Sequence, residues 1–274
     1  LLAFNFGWQS AFVAAGLVGL LWLALWMVVY DVPERSNLTP DEAALIQSDV
    51  EAGAPQVQQP KMPWLSILRY RQAWSFIVGK FLTDPVWWFF LIWLPDYFKK
   101  TRGLDLKSSW VHLVSIYAIV TVLSIIGGWF AGYLTRRGFS VSRARKTAMF
   151  TFALLVLPIL AVTEVGDWGA VLLIGLAGAA HQAWSANLFT TVSDMFPNNA
   201  VASVVGIGGM AGSVGGILFP IVAGKVLDRF TAENDVTTGY AFLFGFCGVA
   251  YLLAFAISHL LAPKFVPVEM RRAG

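Results

Sequence analysis

Long apolar stretches separated by short polar connections run through most of the chain. A helix needs about 20 mostly apolar residues to cross the hydrocarbon core of a bilayer, and seven stretches meet this requirement. They are Trp8–Tyr30, Trp74–Phe98, Trp110–Leu134, Thr147–Val165, Trp168–Ser193, Val201–Leu227 and Tyr240–Leu261. Trp and Tyr recur at their ends, as they do at membrane–water interfaces. The pattern predicts an all-α membrane protein with seven transmembrane helices.

The longest polar connection, residues 31–73, separates the first predicted span from the other six. Thr39-Pro40-Asp41-Glu42 predicts a helix start, because Thr39 can act as the N-cap and Glu42 can complete a capping box. The run Ala54–Pro63 is rich in Pro and Gln, which predicts an extended linker. The chain therefore divides into residues 1–30, a connection over residues 31–73, and a six-helix domain over residues 74–274.

Lys and Arg outside the spans are concentrated on one side of the predicted membrane. That side holds the 31–73 connection, the Arg136–Lys146 segment and the C-terminus. Because cytoplasmic loops carry an excess of Lys and Arg, we expect the C-terminus to be cytoplasmic and the first residue to lie outside. An odd number of spans that starts outside is typical of a longer protein cut before an inward-running helix. The sequence thus predicts further helices upstream.

Composition separates the chain from soluble proteins and from most enzymes. Only 13% of the residues are charged, against about 25% in soluble domains. The net charge of +3 gives no argument for nucleic acid, and the single cysteine excludes an internal disulfide framework. The three histidines fall in separate segments without metal-ligand spacing, and no phosphate-binding loop or nucleophile elbow is present. We therefore expect a protein that is not an enzyme and needs no cofactor.

Lys80 and Asp84 lie inside an apolar stretch that is long enough to cross the membrane. A charge at bilayer depth costs a few kcal/mol or more, so it persists when it is paired, hydrated or functional. Residues four apart share one helix face, so the ammonium and the carboxylate can satisfy each other. With Trp87 and Trp88 beside them, they are candidates for a solute-binding site. The alternative is an ion pair that only fixes the position of the helix.

A polar cluster interrupts the fifth apolar stretch. Gln182, Ser185 and Phe189 share one helix face by their spacing. His181 borders this face, and Asn187 lies on a neighbouring strip. Amides and hydroxyls here could hydrogen-bond a sugar or hydroxy acid, with Phe189 as a stacking surface. The alternative is hydrogen bonding between helices, which these residue types commonly provide in membranes.

Glycines recur at a spacing of four in the sixth stretch, at Gly208, Gly212 and Gly216. Small residues at this spacing let two helix backbones approach closely in lipid. We expect tight packing of this helix against a neighbour. A helix that rocks against its neighbour would use the same surface.

Three parts of the chain resemble the hexuronate transporters, which belong to the anion:cation symporter family within the major facilitator superfamily. They are similar to helices 7, 10 and 11 of that group. The runs are Lys80–Phe90 with Trp93–Phe98, His181–Thr191 with Asp194–Pro197, and Ala200–Gly216. By this resemblance the chain corresponds to helix 6, the central loop and the C-terminal six-helix half of a twelve-helix transporter.

The resemblance implies that solute binds between two six-helix halves near the middle of the membrane. It places a substrate-binding Arg and the protonatable acids in the N-terminal half, which this chain lacks. It also makes the Lys80 position a polar substrate contact and directs the Phe189 aromatic ring toward the cavity. Combined with the candidates above, the predicted substrate-binding residues are Lys80, Asp84, Trp88, His181, Gln182, Ser185, Asn187 and Phe189.

The function expected from the resemblance is symport of a sugar acid across the cell inner membrane. The first candidates are hexuronates such as glucuronate and galacturonate, coupled to a proton or another cation. Aldonates or aldarates are the alternative substrates. A seven-helix receptor or retinal-type pigment is a remote alternative, because it has only the span count and the intramembrane lysine in its favour.

Overall fold

The computed structural model describes residues 5–31, 38–44, 63–104 and 110–268, and these residues form helices joined by short connections. The helices are α1 (Trp8–Val29), α2 (Trp64–Ile67), α3 (Arg71–Arg102), α4 (Trp110–Arg136), α5 (Val141–Val156), α6 (Asp167–Met195), α7 (Asn198–Ala232) and α8 (Val236–Leu261). A 3₁₀-helix, Leu157–Ala161, continues α5. Because no β-strand occurs among these residues, the predicted all-α fold is confirmed for them.

Each of the seven predicted spans falls on a helix, but hydropathy supports fewer crossings. Among the described residues, six helices are long and apolar enough to cross a membrane: α1, α3, α4, α5 with its 3₁₀ extension, α7 and α8. Helix α6 has 29 residues but is outside this group, because His181, Gln182 and Asn187 lower the hydropathy of its middle. The predicted count of seven is therefore not confirmed.

The basic loop before α5 is shorter than the sequence predicts. We expected the span to begin at Thr147, but α5 begins at Val141, with Ser140 as its N-cap. Its first turns therefore contain cations that had been assigned to the loop. Arg145 forms an ion pair with Asp194 at the end of α6, with 2.9 Å between Nε and Oδ2. These partners allow the charges to be part of the helix.

The chain folds as two compact units, Leu1–Gln59 and Pro60–Gly274. In the first unit, α1 contains no buried residue. The predicted capping box is confirmed, because the Thr39 backbone N–H and hydroxyl both donate to Glu42 Oε2, at 2.9 and 2.7 Å. These hydrogen bonds hold the pKa of the Glu42 carboxyl below its ordinary value. The predicted linker Ala54–Pro63 lies outside the described residues except for Pro63.

Helix α3 is the central element of the second unit. It packs along α7 and also contacts α8 and α6, while α4 packs along α6 and α5 closes against α6 and α8. Aromatic rings fill the contact between α3 and α8, where the Phe89 and Phe244 centroids are 5.5 Å apart. The approach of α4 to α6 is close enough that a side chain at Gly127 would collide with Ala183. Helix α3 is therefore in contact with three other helices, α6, α7 and α8.

The C-terminal end of α3 is tied to the start of α6 through Arg102. Its guanidinium donates to the Tyr97 hydroxyl at 2.9 Å, to the Val162 carbonyl at 2.7 Å and to Asp167 Oδ1 at 3.0 Å. Tyr97 also donates to the Val162 carbonyl, at 3.2 Å. One cation thus joins the last turn of α3, the turn before α6 and the first residue of α6.

We predict that Arg102→Ala lowers the thermal stability of the second unit. Each hydrogen bond to a charged group is worth about 1.5–3 kcal/mol, and the loss also leaves Asp167 without its cation. Lys99→Ala is the matched control, because Lys99 is an exposed cation in the same helical turn. Thermal unfolding in detergent measures both variants. Equal melting temperatures for the two would contradict the role given to Arg102.

Candidate functional site

Lys80 and Asp84 form the predicted ion pair one turn apart on α3. The Lys80 ammonium lies 2.8 Å from Asp84 Oδ2, and the two side chains are only 8% and 17% exposed. The same ammonium lies over the ring of Phe189 on α6, 4.5 Å from its centroid. The ring face carries partial negative charge, so it stabilises the cation from a second side. The site therefore has one ammonium, one carboxylate and one aromatic face in contact.

The α3 face that carries this pair lies directly against the glycines of α7. Three glycines spaced four apart on α7 each meet a side chain of α3, so that any side chain at these glycines would collide with α3. The pairs are Phe76 with Gly208, Asp84 with Gly212, and Trp88 with Gly216. The predicted tight packing of the glycine-rich segment is confirmed. It brings the α7 backbone to the edge of the charged site.

His181 joins three helices beside the ion pair. Its ring stacks on Trp87 of α3, with centroids 5.4 Å apart and planes 6° apart. Its Nδ1 lies 2.6 Å from the hydroxyl of Tyr251 on α8, and this hydroxyl also lies within 3.5 Å of the Thr83 carbonyl on α3. The residue before Asp84 is thus held by a hydrogen bond from another helix.

Tyr251 is a site residue that the sequence analysis missed. It is completely buried in the middle of an apolar span, whereas Tyr in membrane helices is enriched at the interfaces. A buried Tyr hydroxyl usually needs a hydrogen-bond partner. Its depth in the span was the available signal, but nothing in the sequence indicated His181 as its partner.

The remaining polar residues of α6 have different surroundings. The side chains of Gln182 and Ser185 are partly exposed, and within the described part of the chain neither makes a hydrogen bond. Asn187 is buried and donates to the Ala183 carbonyl one turn earlier, at 2.8 Å. Its Oδ1 is buried without a partner among the described residues, as is Trp184 Nε1. Gln182 and Ser185 therefore carry side-chain donors and acceptors that have no partner among the described residues.

The predicted site residues are only partly brought together. Lys80, Asp84 and Phe189 are in direct contact. Trp88 lies one turn further along α3 and is 44% exposed, whereas His181 contacts the site through Trp87 and Tyr251. Among the described residues, no group of three or more His, Cys, Asp or Glu could hold a metal. The groups that could contact a solute here are the Lys80 ammonium, the Asp84 carboxylate and the Phe189 ring.

Comparison with known proteins identifies relatives that are named as transporters. The chain is 31% identical over 254 residues to the hexuronate transporter of Escherichia coli (strain K12), covering 90% of this chain and 56% of that protein. It is 25% identical over 277 residues to the D-galactonate transporter of Escherichia coli O6:H1, covering 97% and 61%. It is 24% identical over 248 residues to the probable galactarate/D-glucarate transporter of strain K12, covering 85% and 55%. The chain thus spans little more than half the length of these curated relatives.

The family profile gives the same assignment from a separate comparison. The profile of the Major Facilitator Superfamily matches residues 1–220, which include α1 and α3 to α6 and most of α7. The match therefore contains Lys80, Asp84 and the whole polar cluster of α6. The relatives are named as transporters and none of them as an enzyme. The chain belongs to the Major Facilitator Superfamily.

Proposed function

We propose that this chain is part of a secondary active transporter that imports a sugar acid, in the first place a hexuronate such as glucuronate or galacturonate. The observation that carries the proposal is the ion pair inside α3. The Lys80 ammonium lies 2.8 Å from Asp84 and 4.5 Å from the centroid of the Phe189 ring. An ammonium kept at membrane depth, with an aromatic face beside it, suits a substrate that has a carboxylate and a sugar ring.

Other groups on the helix that carries Phe189 match the remaining parts of a sugar acid. Gln182 and Ser185 are partly exposed and have no hydrogen-bond partner in the described residues, so they are free to bind sugar hydroxyls. Phe189 is 36% exposed, which leaves part of its ring available for stacking. We assign Trp88, His181 and Asn187 to the walls of the same site.

The same pair supports a role in cation coupling. A substrate carboxylate that binds Lys80 competes with Asp84 for one ammonium. Once displaced, the Asp84 carboxylate needs a proton or another cation, because an uncompensated charge at this depth is costly. We therefore propose symport, with Asp84 as the group that links substrate binding to the entry of a proton or other cation.

We propose that residues 1–30 are helix 6, residues 31–73 the central loop, and residues 74–274 the C-terminal six-helix domain. The N-terminal half of the same protein would then be its partner in the bilayer. Helix α6 is the seventh crossing in this proposal, since 29 residues at about 1.5 Å each span about 44 Å, more than the roughly 30 Å of hydrocarbon. The excess of Lys and Arg supports a cytoplasmic C-terminus in the cell inner membrane.

Aldonates and aldarates are the second class of candidate substrates. The relatives named for D-galactonate and for galactarate/D-glucarate are 25% and 24% identical to the chain, against 31% for the hexuronate transporter. Uptake of labelled glucuronate and galactonate by the complete transporter separates the two classes. We expect faster uptake of glucuronate. Faster uptake of galactonate would instead make aldonates the preferred substrates. The transporter relatives leave the seven-helix receptor without support.

We predict that Lys80→Ala lowers the apparent affinity for an acidic sugar by about tenfold or more, as expected for losing a hydrogen bond to a charged group. Insertion into the membrane should be unchanged, although folded stability falls because Asp84 loses its cation. The measurement is concentration-dependent uptake, with membrane protein level as the reference. Lys99→Ala is the control, because it removes an exposed cation from the same helix. An unchanged Michaelis constant in Lys80→Ala would remove Lys80 from the site.

We predict that Asp84→Asn impairs transport or folding. Removing one member of a buried ion pair leaves the other charge uncompensated, at a cost of about 3–5 kcal/mol. The double variant Lys80→Ala/Asp84→Ala should therefore be expressed better than Asp84→Ala alone. Quantification of folded protein by size-exclusion chromatography tests this. If the two single losses simply add, the residues do not act as a pair.

We predict that Gln182→Ala and Ser185→Ala each raise the Michaelis constant by about tenfold, since a neutral hydrogen bond is worth about 0.5–1.5 kcal/mol. Thermal stability should hardly change. Competition by deoxy sugar acids identifies which substrate hydroxyl each side chain binds. An analogue that lacks this hydroxyl should compete less well than the complete sugar acid in the unmodified protein, but equally well in the variant that has lost the side chain. Unaltered rank order of the analogues, together with lower stability, would instead assign these residues to packing.

A further inference from the structure

We propose that Gly212 of α7 is a positioning residue, whose lack of a side chain gives the Asp84 carboxylate the space it needs to pair with Lys80. The transport part of this inference rests on the proposed function, whereas the structural part does not. Glycine spacing alone predicts only that α7 packs closely against a neighbour. The structure adds which group occupies the space at each glycine.

The space beside Gly212 is occupied by the oxygen that forms the ion pair. Asp84 Oδ2 accepts the Lys80 ammonium at 2.8 Å, and a Cβ on Gly212 would collide with this same Oδ2. The added Cβ would also lie 3.0 Å from Asp84 Cγ and 3.3 Å from its Cβ. A side chain at position 212 and the present orientation of Asp84 therefore exclude each other.

The two helix backbones are also in close contact near this level. Three residues further along α7, a Cβ on Gly215 would lie 2.7 Å from the Phe81 carbonyl oxygen and 2.7 Å from Pro85 Cγ. Asp84 is thus held between a backbone carbonyl and a proline ring that are themselves packed on α7. With a short side chain and little freedom of its own backbone, Asp84 could only rotate its carboxylate away from Oδ2's present position. That rotation would break the bond to Lys80.

The other two glycines of the same surface face uncharged partners. A Cβ on Gly208 would collide with the Phe76 ring, and one on Gly216 would collide with Trp88. Gly209 has no atom within 4 Å of its added Cβ. Of these four glycines, one lies against a charge, two against aromatic rings and one against open space. Gly208, Gly212 and Gly216 are all in close contact with α3, but of these three only Gly212 lies against the ion pair.

The test of the structural part crosses two glycines with two partners in the complete transporter. Gly212→Ala is made alone, in combination with Asp84→Ala, and in combination with Phe76→Ala. The same three variants are made for Gly208→Ala. Gly209→Ala is the control, because an added methyl group there meets open space. Thermal unfolding in detergent without substrate is measured for every variant. We expect Asp84→Ala to reduce the stability loss of Gly212→Ala but not that of Gly208→Ala. Phe76→Ala should do the reverse, and Gly209→Ala should resemble the unmodified protein.

The test of the functional part compares transport by Gly212→Ala and Gly208→Ala. Gly212→Ala should reproduce the defect of Asp84→Asn, with a loss of about tenfold or more in kcat/KM, as expected when a hydrogen bond to a charged group is lost. Gly208→Ala should raise the Michaelis constant less than Gly212→Ala does, because its partner Phe76 reaches the ion pair only through the Phe189 ring. An equal rise in the Michaelis constant for both variants would reduce Gly212 to a packing residue and overturn the proposal.

Two further outcomes are decisive. If the stability loss of Gly212→Ala persists undiminished with Asp84→Ala, the proposal is overturned. If Gly212→Ala alone yields no folded protein, recovery of folded protein in Gly212→Ala/Asp84→Ala supports the proposal, and no recovery overturns it. Because the unfolding measurements need no substrate, failure to transport any sugar acid would contradict the proposed function without deciding the role of Gly212.

Discussion

The ion pair between Lys80 and Asp84 is the interaction on which the surrounding structure depends. Two opposite charges inside an apolar helix are tolerated only when each compensates the other or meets water, and here they are 2.8 Å apart. Removing either partner leaves a buried charge, so the pair constrains every element that touches it. In the proposed function, this arrangement keeps an ammonium charged and in place until a substrate carboxylate arrives.

Each helix around α3 meets this constraint in a different way. Helix α7 presents Gly212 to the carboxylate and so leaves it room. Helix α6 places the Phe189 ring under the ammonium, and α8 sends the Tyr251 hydroxyl to His181 and to the Thr83 carbonyl. Space, an aromatic face and a hydrogen bond thus come from three different helices. The fold around α3 is therefore also the support of the site.

Helix ends and the α6 crossing show where sequence patterns are insufficient. Arg145 and Lys146 favoured a loop because cations are costly inside a membrane helix. In the structure Arg145 pairs with Asp194, 49 residues away, and Lys146 donates to the Ala262 carbonyl, 116 residues away. In α6, polar residues reduce hydropathy because much of this helix faces protein: Asn187 is buried and His181 is hydrogen-bonded to another helix. Hydropathy describes contact with lipid and does not detect such surfaces.

The sequence by itself determined the helical class of the protein, its apolar stretches and the pairing of Lys80 with Asp84. These depend on composition and on the period of the helix, which fixes the residues that share a face. The same period placed Gly208, Gly212 and Gly216 on one line and predicted close packing. Only the tertiary structure decided that this line faces Phe76, Asp84 and Trp88, and that Tyr251 meets His181. Helical periodicity defines the faces of each helix, but the helix that meets a face, and in which register, is set by packing between segments far apart in the chain.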